Sequence, residues 1–391
     1  MKIGIVTFVK CYNYGAELQA FALQWKLNTM GFAAEVINLE KRNIDMKRNP
    51  DVIIGAIKQR FKREGLGAII SIYRKIKETK RRIKDETEYK ERNIRKHKLF
   101  ERFFNEKIKH SDRYYSLNDI STTTSLPYDT YIAGSDQIWN YIHTDRLDVY
   151  FLMFANKFKA RKISYAASIS IYDIPQKWRK TYKKYFENID YISVRELHGA
   201  ELVKKYSNKT ADVVLDPTFL LNKSDWVNEV AQPIAIDGDY LLIYTLSGSP
   251  HIRGLAMNIA DKLGLKVVNI KSGYSKEPDD GVIHFYEIGP AEWVGLFSKA
   301  KYVVTDSFHG TAFSINFNIP FTTLVNPDSM MNSRVLSILK ITELESRIVY
   351  DTLHGNYTPN SLSLDFTRCN EILNEWRKKS LIFLTNALNT K

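Results

Sequence analysis

The chain has 391 residues, 44% of them hydrophobic, so it is long enough for two domains with separate cores and is not disordered. Its formal net charge is +13, and residues 41–113 alone hold 24 Lys+Arg against 11 Asp+Glu. No apolar run reaches the roughly 20 residues that a membrane-spanning helix needs. The two cysteines, Cys11 and Cys369, lack metal-binding spacing, which favours a reducing cytoplasm as the location.

The first part of the chain predicts a parallel α/β domain. Its short apolar start runs into Lys10, which is typical of a strand rather than a signal peptide. A polar turn at residues 13–15 then leads into a helix that ends near Gly31. The predicted strands are residues 2–9, 34–39, 128–133, 162–167, 191–194 and 213–215, and further helices are predicted at 175–187 and 196–206. Strands that alternate with helices indicate a parallel sheet.

The basic segment, residues 41–113, interrupts this series. It contains apolar patches at residues 52–57 and 66–73, with lysine and arginine beside them. Such patches suit the surface of an anionic bilayer, to which each basic residue contributes ~1 kcal/mol. A solvated helical insert explains the composition equally well. Nucleic acid is not an expected partner, because the segment carries no nucleic-acid-binding motif.

A second α/β series follows a predicted linker at residues 222–238. Its strands are predicted at 240–245, 266–270, 301–305 and 321–325, with helices at 252–263, 291–300 and 310–317. The fold class is therefore α/β, with two Rossmann-like domains and a cleft between the carboxyl ends of their strands. We assign residues 1–230 to the first domain and 231–350 to the second. Residues 351–391 form a tail whose helix, 366–388, would pack back on the first domain.

The most informative stretch is residues 306–311 (DSFHGT), between a buried strand and a helix. Ser307 or Thr311 can cap that helix, and the free N–H groups of its first turn attract phosphate or carboxylate. His309 can exchange a proton near neutral pH, and it lies where open α/β folds bind ligands. A lone histidine is more often structural, but this position makes His309 the candidate catalytic residue.

Residues 134–140 (GSDQIWN) follow another strand and are rich in hydrogen-bonding groups. Asp136, Gln137 and Asn140 suit sugar hydroxyls, and Trp139 suits the face of a sugar ring. A capped turn with a core tryptophan is the alternative.

Two arginines complete the candidate set. Arg195 follows a predicted strand, where its guanidinium could hold a carboxylate or phosphate, and Arg334 lies in the first turn of a predicted helix. An ion pair and a surface position are the respective alternatives. Asp216, before Pro217, is interpreted as a turn cap. The sequence has no Walker A loop, no Gly-rich dinucleotide fingerprint and no His-Glu-x-x-His, so ATP hydrolysis, dinucleotide redox chemistry and zinc proteolysis lose support.

Five motifs together resemble the polysaccharide pyruvyl transferase family, over residues 2 to about 339. They are residues 13–19 (NYGAELQ), 134–140, 194–196 (VRE), 215–218 (LDPT) and 306–311. The resemblance implies a fold similar to GT-B glycosyltransferases. It also implies transfer of a pyruvyl group from phosphoenolpyruvate, as co-substrate, to a sugar as a cyclic ketal. No metal or other cofactor is expected.

By this resemblance His309 matches the family's active-site histidine, and Arg195 matches an arginine that holds the donor. Many members have an arginine where Ser307 stands here, and Arg334 is the candidate replacement. We place the donor side at Arg195, Arg334, Ser307, Gly310 and Thr311. The acceptor side is assigned to Asn13, Tyr14, Gln137, Trp139 and Asn140, with Asp136 as the candidate base.

The expected partners are phosphoenolpyruvate and a sugar acceptor, for which a polyprenyl-diphosphate-linked sugar is one form. The basic segment would then hold the protein peripherally at the inner membrane face. Two other functions remain open. One is a GT-B glycosyltransferase that uses a nucleotide sugar, and the other is a non-catalytic carbohydrate-binding protein that uses Trp139.

Overall fold

The computed structural model describes residues 1–40, 86–144, 146–246, 249, 251–271, 281–327, 332–351 and 361–389. The apolar patches at residues 52–57 and 66–73, on which the membrane interpretation depends, lie outside the described residues. Among the helices that are described, none combines the length and hydropathy that crossing a bilayer requires.

The first sheet has six parallel strands in the order β2-β1-β3-β4-β5-β6. The strands are β1 (Lys2–Val6), β2 (Ala33–Val36), β3 (Thr130–Ala133), β4 (Arg161–Ala167), β5 (Tyr191–Val194) and β6 (Asp212–Val213). The accompanying helices are α1 (Tyr14–Thr29), α2 (Glu86–Lys107), α3 (Leu117–Thr122), α4 (Leu147–Tyr150), α5 (Gln176–Asn188), α6 (Leu197–Tyr206) and α7 (Lys223–Glu229). Apolar residues on both faces of β1 and β3 are buried, as a sheet covered on two sides requires.

The second sheet also has six parallel strands, in the order β12-β11-β10-β7-β8-β9. Its strands are β7 (Tyr240–Tyr244), β8 (Lys266–Ile270), β9 (Val282–Phe285), β10 (Tyr302–Thr305), β11 (Phe321–Val325) and β12 (Ile348–Tyr350). The helices are α8 (His251–Leu263), α9 (Pro290–Lys299), α10 (Phe308–Asn316), α11 (Ser333–Ile341) and α12 (Thr367–Asn389). The predicted fold class, two Rossmann-like α/β domains, is confirmed.

Among the described elements, the sequence missed the two edge strands β9 and β12 and the helices α3, α4 and α7. Strand β9 is only partly buried and β12 has three residues, so neither has the apolar run that indicates a strand. Helix α7 lies within the predicted linker. Asn222 and Asp225 form a capping box there, and Trp226 is fully buried, with its indole N–H donating to the carbonyl of Thr218.

Helix α2 lies against both domains. On one side Phe103 packs near Phe21 of α1, with ring centres 6.1 Å apart. On the other side Arg95 forms an ion pair of 2.5 Å with Glu287, just after β9. Helix α2, which belongs to the basic segment, therefore links the two domains through its contacts with each of them.

The last helix, α12, contacts both domains. Ser380 Oγ accepts a 3.0 Å hydrogen bond from the backbone N–H of Leu215, just after β6. Arg377 donates to the carbonyl of Phe219 at 2.8 Å and to the side chain of Asn316 at 2.7 Å. Because Asn316 ends α10, α12 helps fix the helix that carries His309 relative to the first domain.

Replacing Gly295 by alanine should destabilise the contact between α9 and the linker that joins the domains. A Cβ there would lie 2.0 Å from the carbonyl oxygen of Gln232, which is backbone and cannot rotate away. We expect a loss of about 1–3 kcal/mol in the free energy of unfolding, as for other overpacked sites. Denaturant titration measures it. The control is Gly254→Ala in α8, where no heavy atom lies within 4 Å; this change should be neutral or stabilise slightly. Equal effects of the two substitutions would contradict the prediction.

Candidate functional site

The site is built where strands end. Ser135 and Asp136 follow β3, Arg195 follows β5, and Asp216 comes shortly after β6, all at the carboxyl edge of the first sheet. His309 follows β10 of the second sheet. The structure brings these groups together, because parallel strands place their carboxyl ends at one edge and the two edges face each other.

A buried ion pair lies at the centre. Arg195 Nη1 donates to Asp216 Oδ2 at 2.6 Å, and the two side chains are 2% and 0% exposed. Ser135 Oγ donates to the same oxygen at 2.8 Å, and Thr218 donates to Oδ1 through its N–H and its hydroxyl. Burial alone would raise the pKa of Asp216, but the charges of Arg195 and His309 and the two hydrogen bonds from Thr218 lower it to about 2. Asp216 is therefore an ionised carboxylate of fixed orientation.

His309 is the second residue of α10, whose cap is Ser307. Its Nε2 lies 4.0 Å from Asp216 Oδ2, too far for a hydrogen bond. Burial lowers the pKa of the imidazole to about 4, and Asp216 opposes this shift while Arg195 adds to it. The ring is therefore neutral at pH 7 in this arrangement.

Gly15 of α1 fixes the position of this ring. A Cβ at Gly15 would lie 1.9 Å from His309 Nδ1, so the backbone of the first domain lies directly against the imidazole of the second. Only glycine permits this approach.

Arg334, the second residue of α11, reaches the same place. Its Cζ lies 5.9 Å from the centre of the Phe308 ring, and the Cζ of Arg195 lies 4.4 Å from the same centre. Burial lowers the pKa of the Arg334 guanidinium to about 10, and the charge of Arg195 acts in the same direction. Two cations thus share one aromatic ring and repel each other.

Several buried N–H groups of this cluster have no hydrogen-bond partner among the described residues. They are Nε and Nη2 of Arg195, Nε of Arg334 and, when it carries a proton, Nε2 of His309. Arg195 Nη2 has only the distant Oδ1 of Asp136, at 4.0 Å. Buried polar groups nearly always have a partner, so an anionic ligand is the simplest group to supply the missing acceptors. The described residues contain no cluster of His, Cys, Asp and Glu that could hold a metal ion.

Three acceptor-side predictions are wrong in this structure. Trp139 is fully buried, stacks on Phe151 at 4.4 Å and donates its indole N–H to the carbonyl of Tyr150, so its face is not open to a sugar. The side chain of Asn140 is also buried and makes hydrogen bonds within its own turn. Tyr14 is buried between the domains, and its hydroxyl donates to the carbonyl of Ile288 at 3.1 Å.

Three donor-side residues have structural contacts instead. Ser307 Oγ accepts the N–H of Gly310, which makes it the cap of α10. A Cβ at Gly310 would lie 2.2 Å from Thr305 Oγ1, so glycine is needed there for packing. The fully buried hydroxyl of Thr311 pairs with Thr323 at 2.9 Å and with the carbonyl of Ser307. The hydroxyls of Ser307 and Thr311 are engaged in these contacts and glycine has no side chain, so none of the three residues offers a side chain to the pyruvyl donor.

The remaining assignments stay predictions. Asn13 caps α1 by accepting the N–H of Ala16, and it is partly exposed. Gln137 lies in the same turn as Asp136, whose backbone has a left-handed φ of 72°. The Oδ1 of Asp136 lies 4.0 Å from Nη2 of Arg195, so this carboxylate faces the same guanidinium as Asp216 does.

Sequence reasoning missed two members of the site. Asp216 was interpreted only as a turn cap, which it is, but the same carboxylate also binds Arg195. Phe308, between the two arginines, was not assigned. Both residues lie inside the LDPT and DSFHGT motifs, and this was the signal available.

A family model described as polysaccharide pyruvyl transferase matches residues 13–329. The chain belongs to the polysaccharide pyruvyl transferase family. No curated protein matches its sequence.

Solved structures resemble the chain in fold. A UDP-GlcNAc 2-epimerase from Neisseria meningitidis, bound to UDP-GlcNAc, aligns with a TM-score of 0.52 and 12% identity over 99% of this chain and 97% of that one. Another UDP-N-acetylglucosamine 2-epimerase gives 0.53 and 10% identity over 100% and 96%. At this identity the likeness shows the fold alone, the GT-B arrangement of two Rossmann-like domains.

Replacing Gly15 by alanine should displace the His309 ring. Because a misplacement of about 1 Å can cost 100-fold in rate, we expect the rate of the transferase reaction to fall by about 100-fold or more. Steady-state assays measure this, with Gly254→Ala as the matched glycine control. Because the clash is with a side chain, overall folding should persist, which circular dichroism checks. Wild-type turnover in Gly15→Ala would show that the close contact does not matter.

Proposed function

We propose that this family member transfers a pyruvyl group from phosphoenolpyruvate to a sugar of a cell-surface polysaccharide or its lipid-linked precursor. The product would be a cyclic pyruvate ketal across two hydroxyls. The observation that carries the proposal is the set of buried, unpartnered N–H donors on Arg195 and Arg334 beside His309. Family membership supports the class of reaction.

The proposed donor supplies the hydrogen-bond acceptors that the N–H groups of Arg195 and Arg334 lack. Phosphoenolpyruvate carries a carboxylate and a phosphate on a three-carbon frame, so it needs several cationic donors within a small space. In the proposal, Nε and Nη2 of Arg195 hold the carboxylate side-on, and Arg334 faces the phosphate. Two like-charged guanidinium groups near one ring would both be stabilised by such a ligand.

The reaction needs one proton donor and an acceptor for each of the two hydroxyl protons. A proton is added to the methylene carbon, which makes C2 electrophilic, and the first sugar hydroxyl attacks C2 and loses its own proton. The C2–O bond to phosphate then breaks, the second hydroxyl attacks C2, and the departing inorganic phosphate takes the proton of the second hydroxyl. We assign the proton on the methylene carbon to His309 and the proton of the first hydroxyl to Asp136. The dianionic donor would raise the pKa of the imidazole and so allow it to carry that proton.

The donor experiment incubates the protein with phosphoenolpyruvate and candidate lipid-linked glycans. We expect phosphate release together with a mass gain of one pyruvyl unit on the glycan. Arg195→Ala and His309→Ala should each lower both signals by at least about 100-fold, because each removes a group that acts on developing charge. Arg368→Ala, an exposed arginine on α12, is the control and should not matter.

Parallel incubations with UDP- and GDP-sugars test the glycosyltransferase alternative. Turnover with a nucleotide sugar and none with phosphoenolpyruvate would reject the proposal. Glycan binding without turnover of any donor would instead favour a non-catalytic carbohydrate-binding protein.

We also propose that the basic segment holds the protein on anionic lipid at the inner membrane face, where a polyprenyl-diphosphate-linked sugar would be presented. The support is its charge, 24 Lys+Arg against 11 Asp+Glu in residues 41–113. Flotation with anionic vesicles should carry the protein upward, and the binding should weaken with salt and on deletion of residues 48–82. Vesicles of neutral lipid are the control. Undiminished flotation of the deletion variant would refute the assignment.

A further inference from the structure

Asp216 distributes its two oxygens in a defined way. Oδ1 accepts the N–H of Thr218 at 3.0 Å and its hydroxyl at 2.7 Å. Oδ2 accepts Arg195 Nη1 at 2.6 Å and Ser135 Oγ at 2.8 Å, and it lies 4.0 Å from His309 Nε2. The carboxylate is fully buried, so its charge acts through a medium that screens it weakly.

The ion pair with Asp216 limits which N–H groups of the Arg195 guanidinium can reach a ligand. Its Nη1 is occupied by Asp216, and its plane lies near the Phe308 ring, with Cζ 4.4 Å from the ring centre. The Nε and Nη2 groups remain, and they point to the same side of a guanidinium. This edge is the planar fork that matches a carboxylate with two parallel hydrogen bonds. Asp216 therefore decides which edge of Arg195 is presented to a ligand.

Asp216 also affects whether the imidazole of His309 carries a proton. Four charged groups face the imidazole: Asp216 and Asp136 favour its protonated form, and Arg195 and Arg334 oppose it. Burial opposes protonation most strongly, and Asp216 is the largest influence in the other direction. Tyr165, a further titratable group that interacts with Asp216, is buried and neutral, since burial strongly raises its pKa.

We propose that Asp216 is a positioning residue that presents the side-on fork of Arg195 and serves as the counter-ion that lets His309 carry the transferred proton. This inference rests on the proposed function. In the proposed step the proton moves from His309 Nε2 to the methylene carbon of the donor. Asp216 remains ionised throughout and exchanges no proton.

Asp216→Asn removes the charge and keeps one oxygen that can accept from Arg195, whereas its amide nitrogen replaces Oδ1, so the Thr218 N–H loses its acceptor and only the Thr218 hydroxyl can turn to accept. Removing one negative charge makes the site more cationic, so the dissociation constant for phosphoenolpyruvate should stay within about 3-fold of wild type or decrease. In contrast, kcat should fall by about 100-fold, because His309 loses its counter-ion. In the pH profile of kcat, the limb on which activity falls with rising pH should move at least about one unit to lower pH. A purely structural role would lose binding and turnover together.

Ser135→Ala is the matched comparison, since it removes a neutral hydrogen bond to the same oxygen and keeps the charge. We expect a loss in kcat below about 10-fold and no movement of the pH limb. Circular dichroism and thermal unfolding establish that both variants are folded.

A second measurement uses the wild-type protein and does not depend on how Asp216→Asn folds. Histidine NMR of the wild-type protein, assigned with His309→Gln, should show the His309 pKa rising when phosphoenolpyruvate binds. A ring that stays neutral in the complex throughout the active pH range would overturn the inference. Unchanged kcat in Asp216→Asn, or simultaneous loss of binding and kcat in a folded variant, would do the same. Failure of the wild-type protein to bind or turn over phosphoenolpyruvate would instead reject the proposed function itself.

Discussion

The buried ion pair between Arg195 and Asp216 is the interaction on which the rest of the site depends. Each partner lies after a different strand of the first sheet, and leaving either charge unpaired at this depth would cost several kcal/mol. Such a pair contributes little net stability once its desolvation is included, but it fixes geometry. The site therefore has a rigid cationic edge whose direction is set before any ligand arrives.

The second domain completes the site through two helix starts. Helix α10 brings His309 against Gly15 of the first domain, and α11 brings Arg334 to the ring of Phe308. The positions of His309 and Arg334 depend on the relative placement of the two domains. Helices α2 and α12 fix that placement through contacts with each domain. The absence of a side chain at Gly15 allows the backbone of α1 to lie directly against the His309 ring.

The fold and the chemistry come from separate parts of the sequence. Epimerases with 10–12% identity share the GT-B arrangement over nearly their whole length, so the layered α/β pattern needs few specific residues. The function must be argued from the side chains at the strand ends. Here these are Arg195, His309 and the buried Asp216, joined by Arg334 from the first turn of α11, a set suited to a small ligand with two anionic groups.

The sequence by itself determined the two parallel sheets and placed Arg195 and His309 next to strand ends, because strand periodicity and strand-end position are local properties. The tertiary structure decided which side chains face the cleft. Trp139 was misassigned because an aromatic residue beside a polar turn fits a ring face or a core equally well. Asp216 was undervalued because its capping contact is two residues away, whereas its ion-pair partner is 21 residues away. Local spacing encodes the first kind of contact, and only the packing of strands and domains creates the second.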